Sequence, residues 1–168
     1  MVIRDATPAD SGACAEIYAP YVRDTAISFE TQPPSADEMA RRIADAQERH
    51  AWLVAEDDEI VGYAYGHPFA GPAAYRWSCT TSIYVTRDRR GTGVGRALYT
   101  ALLDRLTDLG YRRAFAGIAL PNDASAGIHQ AFGFTPVGVY ERVGWKHGQW
   151  RDVKWFQRTL SDQPPTDG

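Results

Sequence analysis

The chain has 168 residues, 44% of them apolar and 23% charged, with a formal net charge of -3. That length fits one domain with a core of its own, and the acidic balance argues against a nucleic-acid partner. No apolar run nears the roughly 18 residues that cross a bilayer, residues 1–6 are too short and polar for a signal peptide, and Cys14 and Cys79 alone make neither a disulfide framework nor a zinc cluster. A cytoplasmic protein is expected, with no membrane, nucleic acid or metal involved.

Residues 1–6 read as a first strand. Thr7 and Pro8 read as the cap and first position of a helix running to about Tyr18. Residues 19–34 read as irregular and hold Phe29 and Glu30. Ser35, with Glu38 three residues on, makes a capping box for a second helix to about Glu48. Residues 52–55 and 60–65 read as strands joined by the acidic turn Asp57-Asp58. Residues 66–74 read as a loop and 77–85 as another strand. Val94, Ala97, Leu98, Ala101, Leu102, Leu106 and Leu109 keep helical spacing up to Gly110. A strand over 114–119 and a short helix over 122–132, stopped by Gly133, follow. Strands over 135–141 and 153–159 close the order, and the polar residues 161–168 are expected to fray. The order β-α-α-β-β-β-α-β-α-β-β predicts one α+β domain over residues 1–160, a mixed central sheet flanked by helices.

Between the strand ending at Val85 and the helix after it stands Arg90-Gly91-Thr92-Gly93-Val94-Gly95-Arg96. Glycines at alternate positions leave backbone N–H groups unobstructed, and the helix aims its positive end at them. This makes an anion cradle that fits a pyrophosphate. A dinucleotide fingerprint would need a third glycine where Arg96 stands, and a nucleotide-triphosphate loop would need Lys and Ser or Thr where Arg96 and Ala97 stand. What remains is Arg/Gln-x-x-Gly-x-Gly/Ala at a strand–turn–helix junction. A glycine-rich turn without a ligand would carry the same residues.

That spacing resembles the coenzyme A loop of the GNAT acetyltransferase superfamily. Ser82-Ile83-Tyr84-Val85 before it resembles the GNAT strand that pairs with pantetheine. Asn122-Asp123-Ala124-Ser125, then His129 and Gly133-Phe134, resembles the superfamily's next helix. From about Ile3 to Gln157 the chain is similar to the phosphinothricin N-acetyltransferase branch, above all at Ala51-Trp52-Leu53-Val54-Ala55-Glu56, Leu120-Pro121-Asn122-Asp123 and 144–153. The resemblance implies a GNAT fold and acetyl-CoA as co-substrate. It implies a small-molecule amine as acceptor, direct transfer in a ternary complex, and a homodimer with the 146–150 turn near the subunit contact. It places the pyrophosphate on Gly91, Thr92, Gly93, Val94, Gly95 and Arg96, with Arg90 and Arg96 adding charge. It places pantetheine on Ile83 and Val85, and further coenzyme contacts on Asn122 and Ser125. His129 stands where many GNAT enzymes carry a tyrosine that protonates the departing thiolate. A histidine can do that work, its ordinary pKa being about 6.5. Phe29, Tyr75 and Arg76 are expected around the acceptor.

The resemblance breaks in one stretch. The branch carries a glutamate, taken as the base, where this chain has Thr80. Two basic positions fall on Ala70 and Pro72. Threonine is no base at neutral pH, though it can hold a water. An α-amine with a pKa of about 7.7–8.0 is roughly a third neutral at pH 7.5, so a missing base costs under about 1 kcal/mol in protonation. A lysine amine at about 10.4 would cost about 4 kcal/mol. Thr80 therefore fits a weakly basic amine, and a lysine only if Glu30 or Glu141 acts through water. The lost basic pair argues against a doubly anionic acceptor. Thr80 also leaves open a second class of function, a silent acyl-CoA sensor. Cys79, inside a strand, reads as core rather than as a nucleophile.

Overall fold

Seven strands form one sheet in the order β1-β2-β3-β4-β5-β7-β6. The computed structural model describes residues 1–166, so the last two residues of the expected tail lie outside the described residues. One half holds β1 (Val2–Asp5), β2 (Trp52–Asp57), β3 (Glu59–Pro68) and β4 (Ser78–Val85), all antiparallel. The other holds β5 (Arg113–Ala119), β6 (Thr135–Lys146) and β7 (Gln149–Thr159), also antiparallel. The halves meet where β4 runs parallel to β5. Element types and order match the sequence-based expectation throughout.

Both sheet faces are covered, so β2 is buried on both sides and reads as a continuous apolar run. Helices α1 (Ser11–Asp24) and α2 (Ala36–Arg49) close over Trp52, Val54 and Tyr63 on one face. Helices α3 (Val94–Asp108) and α4 (Asp123–Ala131) lie on the other, where α3 packs Leu98, Leu102 and Leu106 against Leu53, Ala55 and Ala64. The expected cap residues stand at the helix starts, but at Ser35 only half of the capping box forms, since the Glu38 carboxylate pairs with Arg41 and Arg42 instead. Ser35 Oγ accepts from the Glu38 N–H at 3.1 Å, and Asn122 Oδ1 from the Ser125 N–H at 3.1 Å. At the first helix, Asp10 takes the Thr7 N–H at 2.7 Å and a two-pronged contact from Arg4 at 2.8 and 3.0 Å. The Arg4 guanidinium holds this carboxyl below the usual carboxylate range.

Four elements run well past the bounds their sequence suggests. Helix α1 continues through Pro20 to Asp24. A proline inside a helix loses one backbone bond, but Ile17, Tyr18, Tyr21 and Val22 keep helical spacing across it and are all buried. Strand β3 continues past Gly66 to Pro68. Gly66 belongs there because a side chain would meet Leu106 Cδ2 at 3.0 Å. Strands β6 and β7 extend to a two-residue turn, His147-Gly148, with φ of 52° and 71°. Two left-handed residues suit a tight hairpin. Beyond β7, Arg112 Nε donates to the Gln163 carbonyl at 2.6 Å, which ties the start of the expected tail to the body.

Candidate active site

Strand β4 pairs with β5 only through Ser78, Thr80 and the residue between them. Past that point the strands part. Residues 81–84 face 116–119 across a gap that also reaches Asn122, Ser125 and His129. The gap adjoins a cleft of about 530 Å³ whose floor is the glycine loop. A single splayed strand pair thus joins an anion cradle to the middle of the sheet.

The cradle has the geometry its residues call for. Gly91 and Gly93 take φ of 75° and 92°, with Gly93 as the α3 N-cap. The first intrahelical bond runs from the Ala97 N–H to the Gly93 carbonyl at 3.0 Å. The N–H groups of Val94, Gly95 and Arg96 precede it and have no partner within the helix. Ile83, Val85, Arg90, Gly91, Gly93, Gly95, Arg96, Asn122 and Ser125 all line the cleft. Thr92 and Val94 do not. The Thr92 hydroxyl donates to the Arg89 carbonyl at 2.5 Å, and the Val94 side chain is core. Those two can offer only backbone. Among the described residues, Arg90 and Arg96 lie over the Tyr21 and Phe132 rings rather than against carboxylates. Neighbouring Arg89 is already paired with Asp57 at 2.8 Å.

His129 sits at the floor of the gap, only 3% exposed. Its Nδ1 lies 2.7 Å from the Ser125 carbonyl, so Nδ1 carries a hydrogen. Its Nε2 lies 2.7 Å from the Tyr99 hydroxyl, which lies 2.6 Å from Thr81 Oγ1. Burial pushes the imidazole below its ordinary value, against the raising effect of the Ser125 carbonyl. With the ring neutral, Tyr99 donates to Nε2 and Thr81 donates to Tyr99. With the ring protonated, both bonds reverse. Neither ring nitrogen is turned freely to the cleft, but Thr81, at the far end of the chain, borders the gap.

On the opposite sheet face Thr80 is 7% exposed, directly across from His67 on β3 and Phe115 on β5. Phe115 meets Phe69 at 4.5 Å with the rings tilted, and Phe69 meets Tyr75 at 5.5 Å. Arg76 lies over Trp77. Phe29 rests against Gly144 of β6. The expected acceptor residues therefore fall in two groups, Tyr75 beside the Thr80 neighbourhood and Phe29 against the hairpin. Glu30 accepts from Arg42 at 2.6 and 2.9 Å and from Tyr18, and Arg42 holds it below the usual carboxylate range. Cys79 is fully buried, and burial pushes its thiol up to about 12. It is core, not a nucleophile.

A family profile described as acetyltransferase (GNAT) domain matches residues 3–155. The chain belongs to the GNAT acetyltransferase family. It is 38% identical to the phosphinothricin N-acetyltransferase of Streptomyces viridochromogenes, over 97% of this chain and 90% of that protein. It is 38% identical to the L-methionine sulfoximine/L-methionine sulfone acetyltransferase of Pseudomonas aeruginosa, over 94% of each. The crystal structure of a GNAT superfamily phosphinothricin acetyltransferase from Sinorhizobium meliloti in complex with AcCoA superposes with a TM-score of 0.95. It is 36% identical and covers 99% of this chain and 94% of that one.

Of the cradle residues the sequence singles out, Arg90, Gly91, Gly93, Gly95 and Arg96 border this cleft, while Thr92 and Val94 do not. Sequence reasoning missed Tyr21, which lines the cleft and donates to the Val85 carbonyl at 2.5 Å. Its signal was the apolar spacing carried past Pro20. It also missed Tyr99 and Thr81, which lie in an expected helix and an expected strand, and the placement of His67, assigned to a loop.

Proposed function

We propose that this GNAT protein transfers acetyl from acetyl-CoA to the primary amine of an amino-acid-sized acceptor, directly and within a ternary complex. The observation that carries this is the splay of β4 from β5 above the glycine cradle. The pyrophosphate rests on the N–H groups of residues 91–96, with Arg90 and Arg96 alongside. Pantetheine lies along Ile83 and Val85, near Asn122 and Ser125. The thioester reaches the end of the β4–β5 pairing, where a backbone N–H near Ile83 steadies the oxyanion. Thr80 holds a water there, and Phe29, Tyr75 and Arg76 border the acceptor. His129 supplies the proton for the departing thiolate through Tyr99 and Thr81. No metal takes part, and the free thiols of Cys14 and Cys79 suit the reducing cytoplasm.

The acceptor is read from the uncharged Ala70 and Pro72. Phosphinothricin carries a phosphinate besides its carboxylate, whereas methionine sulfoximine carries the carboxylate alone. The kcat/KM for L-methionine sulfoximine is expected to exceed that for phosphinothricin by tenfold or more. A thiol-release assay with both, beside neutral amino acids, checks this. No release from any amine, with acetyl-CoA still bound tightly, would favour the acyl-CoA sensor that Thr80 suggests.

The protein is proposed to work as a homodimer. Strand β6 is a sheet edge, and Tyr140, Val143, Trp145 and Trp150 are about half exposed or more. Trp145 and Trp150 meet edge to face at 5.2 Å across the hairpin. An apolar edge of this kind invites a partner. Sedimentation equilibrium should give twice the 18.6 kDa chain mass, and Trp145→Glu should shift it to one. A wild-type protein that sediments as a monomer refutes the dimer.

A further inference from the structure

We propose that His67 is the base that takes the proton from the acceptor amine, an inference that rests on the acetyltransfer proposed for this site. An amine that enters neutral still has a proton to lose. As its nitrogen bonds to the thioester carbon, that nitrogen becomes positively charged and acidic, and something must receive the hydrogen. Thr80 cannot. Glu30 is committed to Arg42 and Tyr18, and Glu141 is exposed on β6.

His67 is placed for the task by strand register. In an antiparallel pair, residues directly opposite point to the same face, with Cβ atoms about 4.5–5.5 Å apart. His67 is opposite Thr80, and Thr80 is where β4 last pairs with β5 before the gap opens. The ring therefore shares a sheet face with Thr80 and Phe115, beside the apex toward which the cleft leads. The extension of β3 past Gly66 is what brings it there. The Pro68 backbone beside the ring works against burial, and a neutral imidazole carries one nitrogen that accepts. The ring is half-buried, and burial favours that neutral form. Among the described residues, none of the groups set against the ring is a carboxylate. Tyr65 lies at 5.7 Å on β3, Thr80 faces it from β4, and His50 and Arg49 stand at the end of α2. His50 is itself pushed down to about 4 by burial, so it is uncharged at neutral pH.

The amine lone pair forms the C–N bond, and the carbonyl π pair moves to oxygen. The N–H proton passes to the free ring nitrogen of His67. The oxyanion then collapses, the C–S bond breaks, and sulfur leaves with the electron pair to be protonated from the His129 side. His67 returns its proton to water.

Two variants test this, with L-methionine sulfoximine and the neutral amino acids as acceptors. His67→Gln keeps a polar side chain of similar length but has no base. It should lower kcat about 100-fold, the lower end of general-base catalysis, with the KM for acetyl-CoA and the melting temperature unchanged. His67→Gly should be equally slow and should recover rate in proportion to added imidazole, which a merely structural histidine would not allow. His67→Gln with more than a third of wild-type kcat overturns the assignment, and so does a slow His67→Gly that imidazole fails to rescue. Wild-type protein that acetylates nothing overturns the acetyltransfer itself, and the base with it. Wild-type activity with an unaffected His67→Gln overturns the base alone.

Discussion

His129→Phe should lower kcat by about 10²- to 10³-fold, within the range of lost general-acid catalysis, and leave the KM for acetyl-CoA nearly unchanged. The reason lies in where the ring points. Its two nitrogens are bound to the Ser125 carbonyl and the Tyr99 hydroxyl, and Tyr99 continues to Thr81 at the gap. A proton starting on Nε2 reaches the sulfur only if each hydroxyl passes one on and takes one back. Tyr99 and Thr81 are therefore as necessary as His129. Tyr99→Phe should cost nearly as much, and the double variant should cost no more than either single one, since both break one chain. Each change also removes two buried hydrogen bonds, worth about 1 kcal/mol of stability apiece, which weakens the fold without touching the chemical step. Because the acid works in its charged form and burial lowers its pKa, wild-type kcat should fall as pH rises through that lowered value. That alkaline fall should be absent from His129→Phe. An unaltered kcat in Tyr99→Phe would break the relay, since the histidine then needs no hydroxyl to deliver its proton.

The half of the candidate site proposed for the donor was legible because it is local. Arg90, Gly93, Gly95, Asn122 and Ser125 lie in two short segments, each beside a helix start, and helix starts have sequence signatures. The acceptor half depends on register and on long-range packing, which one strand's residues do not reveal. His67 looked like loop because Gly66 and Pro68 flank it. Only the approach of Leu106 explains why glycine belongs in that strand. Thr81 and Tyr99 are 18 residues apart, and Tyr99 and His129 are 30 apart. Each alone is an ordinary buried residue, and only the fold makes them a chain. Tyr21 was hidden by Pro20, whose lost backbone bond is offset by the packing of Tyr18, Tyr21 and Val22.

Gly93→Val should raise the KM for acetyl-CoA by about 10²-fold, equivalent to roughly 3 kcal/mol of binding. Gly93 holds φ of 92° and ψ of -4°, and a β-branched residue is strained there by its own backbone. Space is not the obstacle, since a Cβ would meet nothing within 4 Å. The strain, of order 1–3 kcal/mol, is relieved by turning the peptide back to negative φ. That rotation carries the N–H groups at the start of α3 away from the anion. The protein stays folded because the buried part of α3 begins at Val94 and runs through Leu98 and Leu102. Gly12→Ala, in α1 with nothing near its Cβ, serves as the neutral control. The decisive comparison changes the donor. Acetyl-pantetheine has the thioester but no pyrophosphate, so it gains nothing from the cradle. Wild type and Gly93→Val should use it equally, while differing about 10²-fold with acetyl-CoA. An equal loss with both donors would place the damage in the pantetheine path along β4, and the glycine loop would no longer be the seat of the pyrophosphate.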